Sequence, residues 1–257
     1  MLRKILAHPA TRGLDVDDPR LTWLRREIIV GKSFLHRIYQ EWYKDITDAL
    51  PGGDGPVLEI GSGAGFLQQF IPGLVRSEIF KCPEIDLVLD ALDLPLPDQS
   101  LRAIVMTDVL HHLPDPRRFF AEAARSVHVG GRIIMVEPWV SNWSRWVYRH
   151  LHSEPFLPEA REWNFPSTGP LSGANGALPW ILFERDRAQF ELEFPQWVIR
   201  AIRPQMPFRY LVSGGVSMRS LMPGAAFGLW RGLEDLLRPR MKQLAMFAFI
   251  ALERVDR

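Results

Sequence analysis

A short apolar run followed by three closely spaced glycines is the first feature of this sequence that could do chemistry. Val57–Ile60 leads into Gly61-Ser62-Gly63-Ala64-Gly65, and glycine lets the backbone approach a ligand closely. Parallel sheets bind ligands at the carboxyl ends of their strands, and a helix beginning near Ala64 would point free amides at such a ligand. Glu59 would repel a pyrophosphate but attract an ammonium group. The turn therefore predicts a site for a nucleoside that carries an amino acid, rather than for a dinucleotide.

Two adjacent histidines follow a second apolar run. His111 and His112 come shortly after Arg102–Thr107, and Glu137 ends the next run, so all three are expected at one edge of the sheet. An imidazole can remove a proton from a hydroxyl group near neutral pH, and a carboxylate can orient that imidazole. We predict these three residues as catalytic, the alternative being that the histidines are structural. Asp108 could join them around a metal, but without a recognisable ligand set no metal is predicted.

Apolar runs that alternate with helical patterns predict an α/β fold with a doubly wound, mostly parallel sheet. The predicted strands are Val57–Ile60, Val75–Phe80, Ile85–Leu89, Arg102–Thr107, Arg132–Glu137, Trp197–Arg203 and Leu244–Glu253, the last as an antiparallel edge. Asp115 and Pro116 are typical of a helix start, and Gly130-Gly131 of its end.

The pattern divides the chain into three parts. Residues 1–56 are a helical lead-in with an apolar stripe along Ser33–Ile46, residues 57–141 are the cofactor-binding core, and residues 142–257 hold a substrate-side lid, insertions and the last strands. The segment His152–Pro179 is rich in Pro, Gly and Ser, which predicts a mobile lid. Phe208–Lys242 is predicted as a partly helical insertion.

Composition limits the function classes. The 257 residues carry a net charge of +1, which argues against a nucleic-acid partner. The single cysteine, Cys82, fits a reducing cytoplasm. The longest apolar run, Leu244–Leu252, is far shorter than the ~20 residues that span a bilayer. Peripheral contact with a membrane surface stays open, because Trp143 and Trp146 share one face of a predicted helix.

Four segments, in order, resemble the motifs of class I S-adenosylmethionine-dependent methyltransferases, of the type 11 or UbiE-like group. They are LEIGSGAGFL, DLVLDALDLPLPDQSLRAIV, MTDVLHHLPDP and ARSVHVGGRIIMVEP, within Val57–Pro138. The resemblance implies a seven-stranded Rossmann-like sheet and S-adenosylmethionine as cofactor. The chain departs from the family pattern at two places. No helix fits between Glu78 and Ile85, and Ala103 stands where an Asp is common.

The resemblance also implies roles for individual residues. Glu78 would accept hydrogen bonds from the two ribose hydroxyls, and Thr107 would pass close to the sulfonium. The implied cofactor-binding residues are Glu59, Gly61, Ser62, Gly63, Gly65, Glu78, Asp90, Ala91 and Thr107. Some sugar O-methyltransferases of this family pair a histidine of an L-H-H motif with an acidic strand end, which here means His111 or His112 with Glu137.

The substrate side is predicted from the aromatic and polar residues that follow the core. We predict Trp139, Trp143 and Asn175 as substrate contacts, because aromatic rings can stack on sugars or line an apolar pocket. The predicted reaction is methyl transfer to a small-molecule or lipid-linked acceptor, first to a hydroxyl oxygen such as that of a sugar. Two alternatives stay open: C- or N-methylation with structural histidines, and a cofactor-binding pseudoenzyme that acts as an interaction subunit.

Overall fold

The computed structural model describes residue 8 and residues 18–152, 154–169 and 173–257. Seven strands form one sheet in the order β3-β2-β1-β4-β5-β7-β6. The strands are β1 Val57–Ile60, β2 Val75–Glu78, β3 Leu87–Val88, β4 Leu101–Thr107, β5 Val127–Pro138, β6 Trp197–Gln205 and β7 Phe247–Arg254. The first five are parallel, whereas β7 runs antiparallel to both of its neighbours. The predicted doubly wound, seven-stranded architecture is thereby confirmed.

Helices cover both faces of the sheet. They are α1 Pro19–Gly31, α2 Ser33–Asp48, α3 Pro116–Ser126, α4 Asn142–Leu151, α5 Leu178–Trp180, α6 Arg187–Glu193, α7 Arg209–Ser213, α8 Phe227–Leu236 and α9 Met241–Leu244. Shorter turns are the π-helical Ile181–Arg185 and the 3-10 turns Leu67–Gln69, Leu110–His112, Gly224–Ala226 and Arg238–Arg240. Among the described residues, no helix combines the length and apolar character needed to cross a membrane.

The central strands are apolar on both sides because each side packs against a layer of helices. Ile104 and Met106 of β4 join the core beneath α3. Ala103 and Val105 point the other way and pack with the stripe of α2, as the periodicity of that helix predicts. The lead-in helix α2 therefore contributes to the body of the fold, directly behind the cofactor-binding strands.

Two details of the predicted core are wrong, and a third is confirmed. No α-helix begins near Ala64, where the chain makes only the 3-10 turn Leu67–Gln69, because Phe66 and Leu67 are drawn into the core at once. Gly130-Gly131 do not end a helix, since α3 stops at Ser126 and β5 already runs through the glycines. The predicted absence of a helix between β2 and β3 is confirmed, as the described residues there contain none.

The C-terminal half corrects the predicted edge position of β7, while the lid stays a prediction. β7 is antiparallel but lies inside the sheet, and β6 forms the edge. The predicted lid His152–Pro179 has residues 153 and 170–172 outside the described part of the chain. Its Trp163 is 2% exposed and donates through Nε1 to Asp186 at 2.9 Å, so this ring packs on the core and does not face a pocket.

Candidate active site

A cavity of about 700 Å³ opens at the carboxyl ends of β1, β2 and β4, a volume typical of a small-molecule site. One end meets the glycine turn and the ends of β2 and β3; its residues include Gly61, Ala64, Ser77, Glu78, Asp90 and Ala91. The other end meets Thr107, Asp108, His112 and Glu154. The cavity thus connects the predicted cofactor residues with the predicted catalytic segment.

The glycine turn leaves no room for side chains. Gly61 has a φ of +69°, and a Cβ there would lie 2.5 Å from Cγ2 of Val109. A Cβ on Gly63 would clash with Cγ2 of Thr22 and lie 2.9 Å from Oε2 of Glu78. Thr22 of α1 therefore closes over the turn, a contact that no spacing in the sequence indicated.

Glu78 is tied to the turn at the end of β2. Its Oε2 accepts from the amide of Gly63 at 3.1 Å and its Oε1 accepts from the amide of Ile79 at 3.0 Å. Burial raises the pKa of this carboxyl, while the two amides oppose the rise. Each oxygen keeps a further lone pair, and the residue lines the cavity. A pair of vicinal hydroxyls would find two acceptors here.

The residues predicted to contact the adenine and the sulfonium of the cofactor also line the cavity. Ala91 is buried, and Asp90 uses Oδ1 to accept from the amide of Leu92 at 2.8 Å. Oγ1 of Thr107 is buried and has no hydrogen-bond partner within the described residues. A ligand in the cavity could supply the partner that this hydroxyl needs.

Four predicted cofactor residues, Glu59, Ser62, Gly63 and Gly65, do not line the cavity within the described chain. The hydroxyl of Ser62 donates to the carbonyl of Glu59 at 3.2 Å and accepts from the amide of Ser77 at 3.2 Å, which joins β1 to β2. Gly65 passes close to the hydroxyl of Tyr43. Glu59 and Ser62 therefore hold the turn in place through these hydrogen bonds. Their contact with a cofactor stays a prediction.

The buried carboxyl of Glu59 makes stability depend on pH. Burial, with a further contribution from Glu78, raises its pKa from 4.5 to about 7. Between these two values the folded chain holds a proton that the unfolded chain has lost, so the free energy of unfolding falls as the pH rises. Glu59→Gln should flatten this slope, by on the order of 2–3 kcal/mol between pH 5 and pH 8, in denaturant unfolding. Glu27→Gln, at an exposed carboxylate, is the matched control; equal slopes in wild type and Glu59→Gln would contradict the account.

The histidine segment is held by an unusual backbone turn. Asp108 has a φ of +64°, a left-handed conformation that costs energy in a residue other than glycine. Its amide donates to the carbonyl of Val136 at 2.8 Å, and the chain then enters the 3-10 turn Leu110–His112. This turn presents the two histidine rings side by side, with centroids 4.2 Å apart.

Glu137 anchors this segment. Its Oε1 accepts from the amides of Val109 and Leu110, both at 2.8 Å, and its Oε2 lies 2.8 Å from Nδ1 of His111. His111 and Glu137 are almost fully buried. The structure therefore brings together the predicted pair of His111 and Glu137, with Glu137 orienting the ring.

The two histidines differ in charge. Burial alone would lower the pKa of His111, but Glu137, Glu154 and Asp108 outweigh it and raise that pKa well above the usual value. Burial and the neighbouring charge of His111 lower the pKa of His112 to about 4. His112 is therefore neutral near pH 7. Its Nδ1 lies 3.1 Å from the carbonyl of Gly173, which can only accept, so Nδ1 carries the proton and Nε2 keeps a free lone pair.

Glu154 was missed by the sequence analysis. Its Oε2 lies 3.7 Å from Nε2 of His111 and 3.9 Å from Nδ1 of His152. These histidines lower the pKa of Glu154 against the opposing effect of burial. The residue sits in the segment that was predicted as a lid, where an isolated glutamate has no recognisable spacing. Asp108 is not the third member of the cluster, because its Oδ1 is 4.0 Å from a nitrogen that already bonds to Glu137.

The three predicted substrate contacts do not line the cavity in the described structure. Trp139 is buried in the core, and Nε1 of Trp143 donates to the carbonyl of Pro207 at 2.8 Å. Oδ1 of Asn175 accepts from the amides of Leu157 and Ala177 at 2.9 and 3.1 Å, which fixes the loop. Their role in substrate binding stays a prediction without support from position.

Other aromatic residues line the cavity, and we call them the aromatic wall. Tyr148 and Phe156 stack with centroids 4.4 Å apart, and both line the cavity with Tyr39 and Tyr210. Tyr39 could have been found from the stripe of α2, whereas Tyr210 comes from an insertion without a motif. The aromatic wall suits a ligand with an apolar body.

Comparisons with known proteins agree with this geometry. Residues 74–135 match a family model described as a methyltransferase domain. An uncharacterised 37.1 kDa protein of transposon TN4556 from Streptomyces fradiae is 31% identical over 121 residues, which are 40% of this chain and 35% of that protein. The matched part thus spans about a third of the length of this curated relative.

Solved structures resemble the whole chain. The geranyl diphosphate C-methyltransferase from Streptomyces coelicolor A3(2), in complex with Mg²⁺, geranyl diphosphate and S-adenosyl-L-homocysteine, has a TM-score of 0.53 at 15% identity. The match covers 97% of this chain and 89% of that one. A geranyl diphosphate methyltransferase in complex with S-adenosylmethionine also gives 0.53 at 15% identity, over 97% and 96% of the two chains. At such low identity the likeness shows the fold alone.

Proposed function

We propose that the chain is a class I S-adenosylmethionine-dependent methyltransferase, which the match of residues 74–135 to a methyltransferase-domain model supports, and that it methylates a hydroxyl oxygen of a small-molecule acceptor. One observation carries this proposal. A single cavity of about 700 Å³ runs from the glycine turn and Glu78 to the free nitrogen of His112. Donor and acceptor can therefore meet inside one cavity.

The cofactor would lie at the end of the cavity that holds the turn. Glu78 offers two acceptor oxygens for the ribose hydroxyls, and Asp90 and Ala91 stand where the adenine would lie. Thr107, whose hydroxyl has no partner among the described residues, also lines the cavity, and the sulfonium would lie beside it. This order directs the methyl group toward His112 and Glu154.

The acceptor would lie against the aromatic wall with its hydroxyl at His112. Methyl transfer from a sulfonium is an in-line displacement, and alignment of the two reactants supplies much of its acceleration. The hydroxyl must also lose its proton. His111 is unsuited to accept it, because Glu137 and Glu154 keep that ring charged. The lone pair on Nε2 of His112 activates the hydroxyl instead, while Glu137 and His111 position the segment.

Methylation of carbon is the second candidate. Four rings, those of Tyr39, Tyr148, Phe156 and Tyr210, line the cavity, and aromatic faces stabilise a cation such as one formed when an alkene takes up a methyl group. The two candidates differ in the bond formed, so nuclear magnetic resonance of the product separates an O-methyl from a C-methyl group.

Contact with a membrane is a weaker part of the proposal. Trp146 of α4 is 50% exposed and stacks on Trp143, so it could rest in a headgroup layer and admit a lipid-linked acceptor. Cosedimentation with anionic vesicles, lost in Trp146→Ser, would support it, and equal sedimentation of the two proteins would refute it.

Glu78→Ala should weaken binding of S-adenosylmethionine by about 1–3 kcal/mol, because two ribose hydroxyls lose their acceptors. Isothermal titration calorimetry measures the change. Glu84→Ala is the matched control, since Glu84 lies in the same loop but pairs with Arg26 at 2.8 Å. Equal affinities of Glu78→Ala and wild type would remove Glu78 from the ribose site.

The proposed activity is tested by the formation of S-adenosylhomocysteine with a panel of apolar hydroxyl compounds, sugars and isoprenoids. Acceptor-dependent formation of the product cofactor supports methyl transfer, and an O-methylated product supports the assignment to oxygen. A protein that binds the cofactor but never turns it over with any acceptor would instead fit an interaction subunit.

A further inference from the structure

We propose that His111, His112 and Glu154 bind one divalent transition-metal ion at the acceptor end of the cavity. The inference deepens the proposed function and rests on it, because the ion would carry the oxygen that receives the methyl group. It concerns a ligand set that the sequence analysis did not recognise, since Glu154 is 42 residues beyond His112.

The ligand atoms are close enough for one ion. Each of the three residues offers one, and these atoms lie within 4.8 Å of one another. Nε2 of His111 and Oε2 of Glu154 are 3.7 Å apart, too far for a hydrogen bond. Two ligands at about 2.0–2.2 Å from a tetrahedral ion are separated by about 3.4 Å. An ion would therefore draw the three ligand atoms, now within 4.8 Å of one another, closer together.

The second nitrogen of each imidazole is already occupied by an acceptor. Nδ1 of His111 meets Oε2 of Glu137 at 2.8 Å, and Nδ1 of His112 meets the carbonyl of Gly173 at 3.1 Å. Histidines that bind metals almost always donate their other N–H to a carboxylate or a backbone carbonyl, which fixes the ring and its tautomer. Both rings here have that arrangement. Nε2 of His112 is then available to an ion, and Nε2 of His111 becomes available when the ion displaces its proton.

The donor set selects the class of metal. Magnesium prefers oxygen ligands and keeps several waters, whereas imidazole nitrogen suits zinc, iron, nickel and copper. Two histidines and one carboxylate leave coordination positions open. His112 and Glu154 line the cavity, so the open positions face the acceptor.

An ion in this position would act as a Lewis acid. An acceptor hydroxyl bound to it loses its proton to water more readily, as metal-bound water does. The resulting oxygen forms a bond to the methyl carbon while the carbon–sulfur bond breaks. The electron pair of the broken bond stays on sulfur, and the sulfonium becomes a neutral thioether. In this arrangement the Nε2 lone pair of His112 would hold the ion, and the ion would activate the hydroxyl.

The test is a titration of tag-free, chelator-treated protein with Zn²⁺ by calorimetry and with Co²⁺ by visible absorption. Wild type should bind one equivalent of each, with absorption bands of a protein-bound Co²⁺ ion. His112→Ala and Glu154→Gln should weaken Zn²⁺ binding by at least ~100-fold, and Glu137→Gln, which changes only the partner of a ligand, by roughly 10–100-fold. His150→Ala, at an exposed histidine, is the matched control and should bind like wild type.

The outcomes separate the two proposals. Equal Zn²⁺ affinity in wild type, His112→Ala and Glu154→Gln would mean an adventitious ion and overturn the metal site, as would the lack of any stoichiometric site in wild type. Unfolding of the metal-free variants shows which are folded, and Glu137→Gln provides an independent result if a ligand variant is not. Binding of S-adenosylhomocysteine is measured on the same metal-free samples. If the protein binds S-adenosylhomocysteine but no metal, only the metal site is refuted. If it does not bind S-adenosylhomocysteine, the proposed function is refuted.

Discussion

Replacing His112 by alanine should lower turnover by roughly 10²–10⁴-fold while the affinity for S-adenosylmethionine changes little. The lone pair on Nε2 is lost, and the acceptor hydroxyl keeps its proton whether that lone pair binds the proton or an ion. His112 makes no hydrogen bond to Glu78 or the glycine turn among the described residues, so the predicted cofactor contacts should remain. Turnover is followed as S-adenosylhomocysteine formed with the acceptor found in the panel.

His150→Ala is the control for this experiment, because His150 is exposed and its Nδ1 bonds to the carbonyl of Trp146 at 2.7 Å. It should keep the wild-type rate. A wild-type rate in His112→Ala would show that the acceptor needs no activation, and would favour methylation of carbon beside the aromatic wall. A loss confined to cofactor affinity would mean that His112 contacts the cofactor and not the acceptor.

Gly63→Val should abolish binding of S-adenosylmethionine. A side chain at this position meets Thr22 and Oε2 of Glu78, so it displaces the carboxylate predicted to hold the ribose as well as the α1 helix above the turn. The reason differs from the one that the sequence suggests, which is overlap with the cofactor itself. Equilibrium dialysis with labelled cofactor measures the loss.

Gly232→Val is the matched control, since a Cβ at Gly232 meets nothing within 4 Å. Far-ultraviolet circular dichroism establishes that Gly63→Val is folded, and the milder Gly63→Ala serves if it is not. Thr22→Ala added to Gly63→Ala should restore part of the binding by relieving the clash. Wild-type affinity in folded Gly63→Val would contradict the placement of the cofactor at this turn.

The sequence was sufficient for the sheet because its signals are local. The continuous apolar runs of β1, β4 and β5 and the stripe of α2 each follow from burial on a fixed period. The position of β7 inside the sheet is different, since an antiparallel strand with both faces covered has the same apolar pattern at an edge or between neighbours. The missing helix after the glycine turn also depends on tertiary packing, which draws Phe66 and Leu67 into the core.

The site residues also divide into those that local sequence signals predict and those that depend on tertiary packing. Glu78, Asp90 and Thr107 stand at strand ends within recognisable motifs, and the pairing of His111 with Glu137 follows from two adjacent parallel strands. Glu154 and Thr22 reach the cavity from irregular or distant segments, so no spacing in the sequence predicts them. Nor can a sequence show which of two adjacent histidines is charged. That depends on the carboxylates that surround His111 and on the burial of His112 beside the charged ring of His111.

The central claim is that one cavity holds the methyl donor against the histidine segment, and a crystal structure of the complex with S-adenosylhomocysteine tests it most directly. The account predicts ribose hydroxyls on Glu78, adenine beside Asp90 and Ala91, and a sulfur near Thr107 that faces His112. A nucleoside bound elsewhere, or a sulfur turned away from His112 and Glu154, would contradict it.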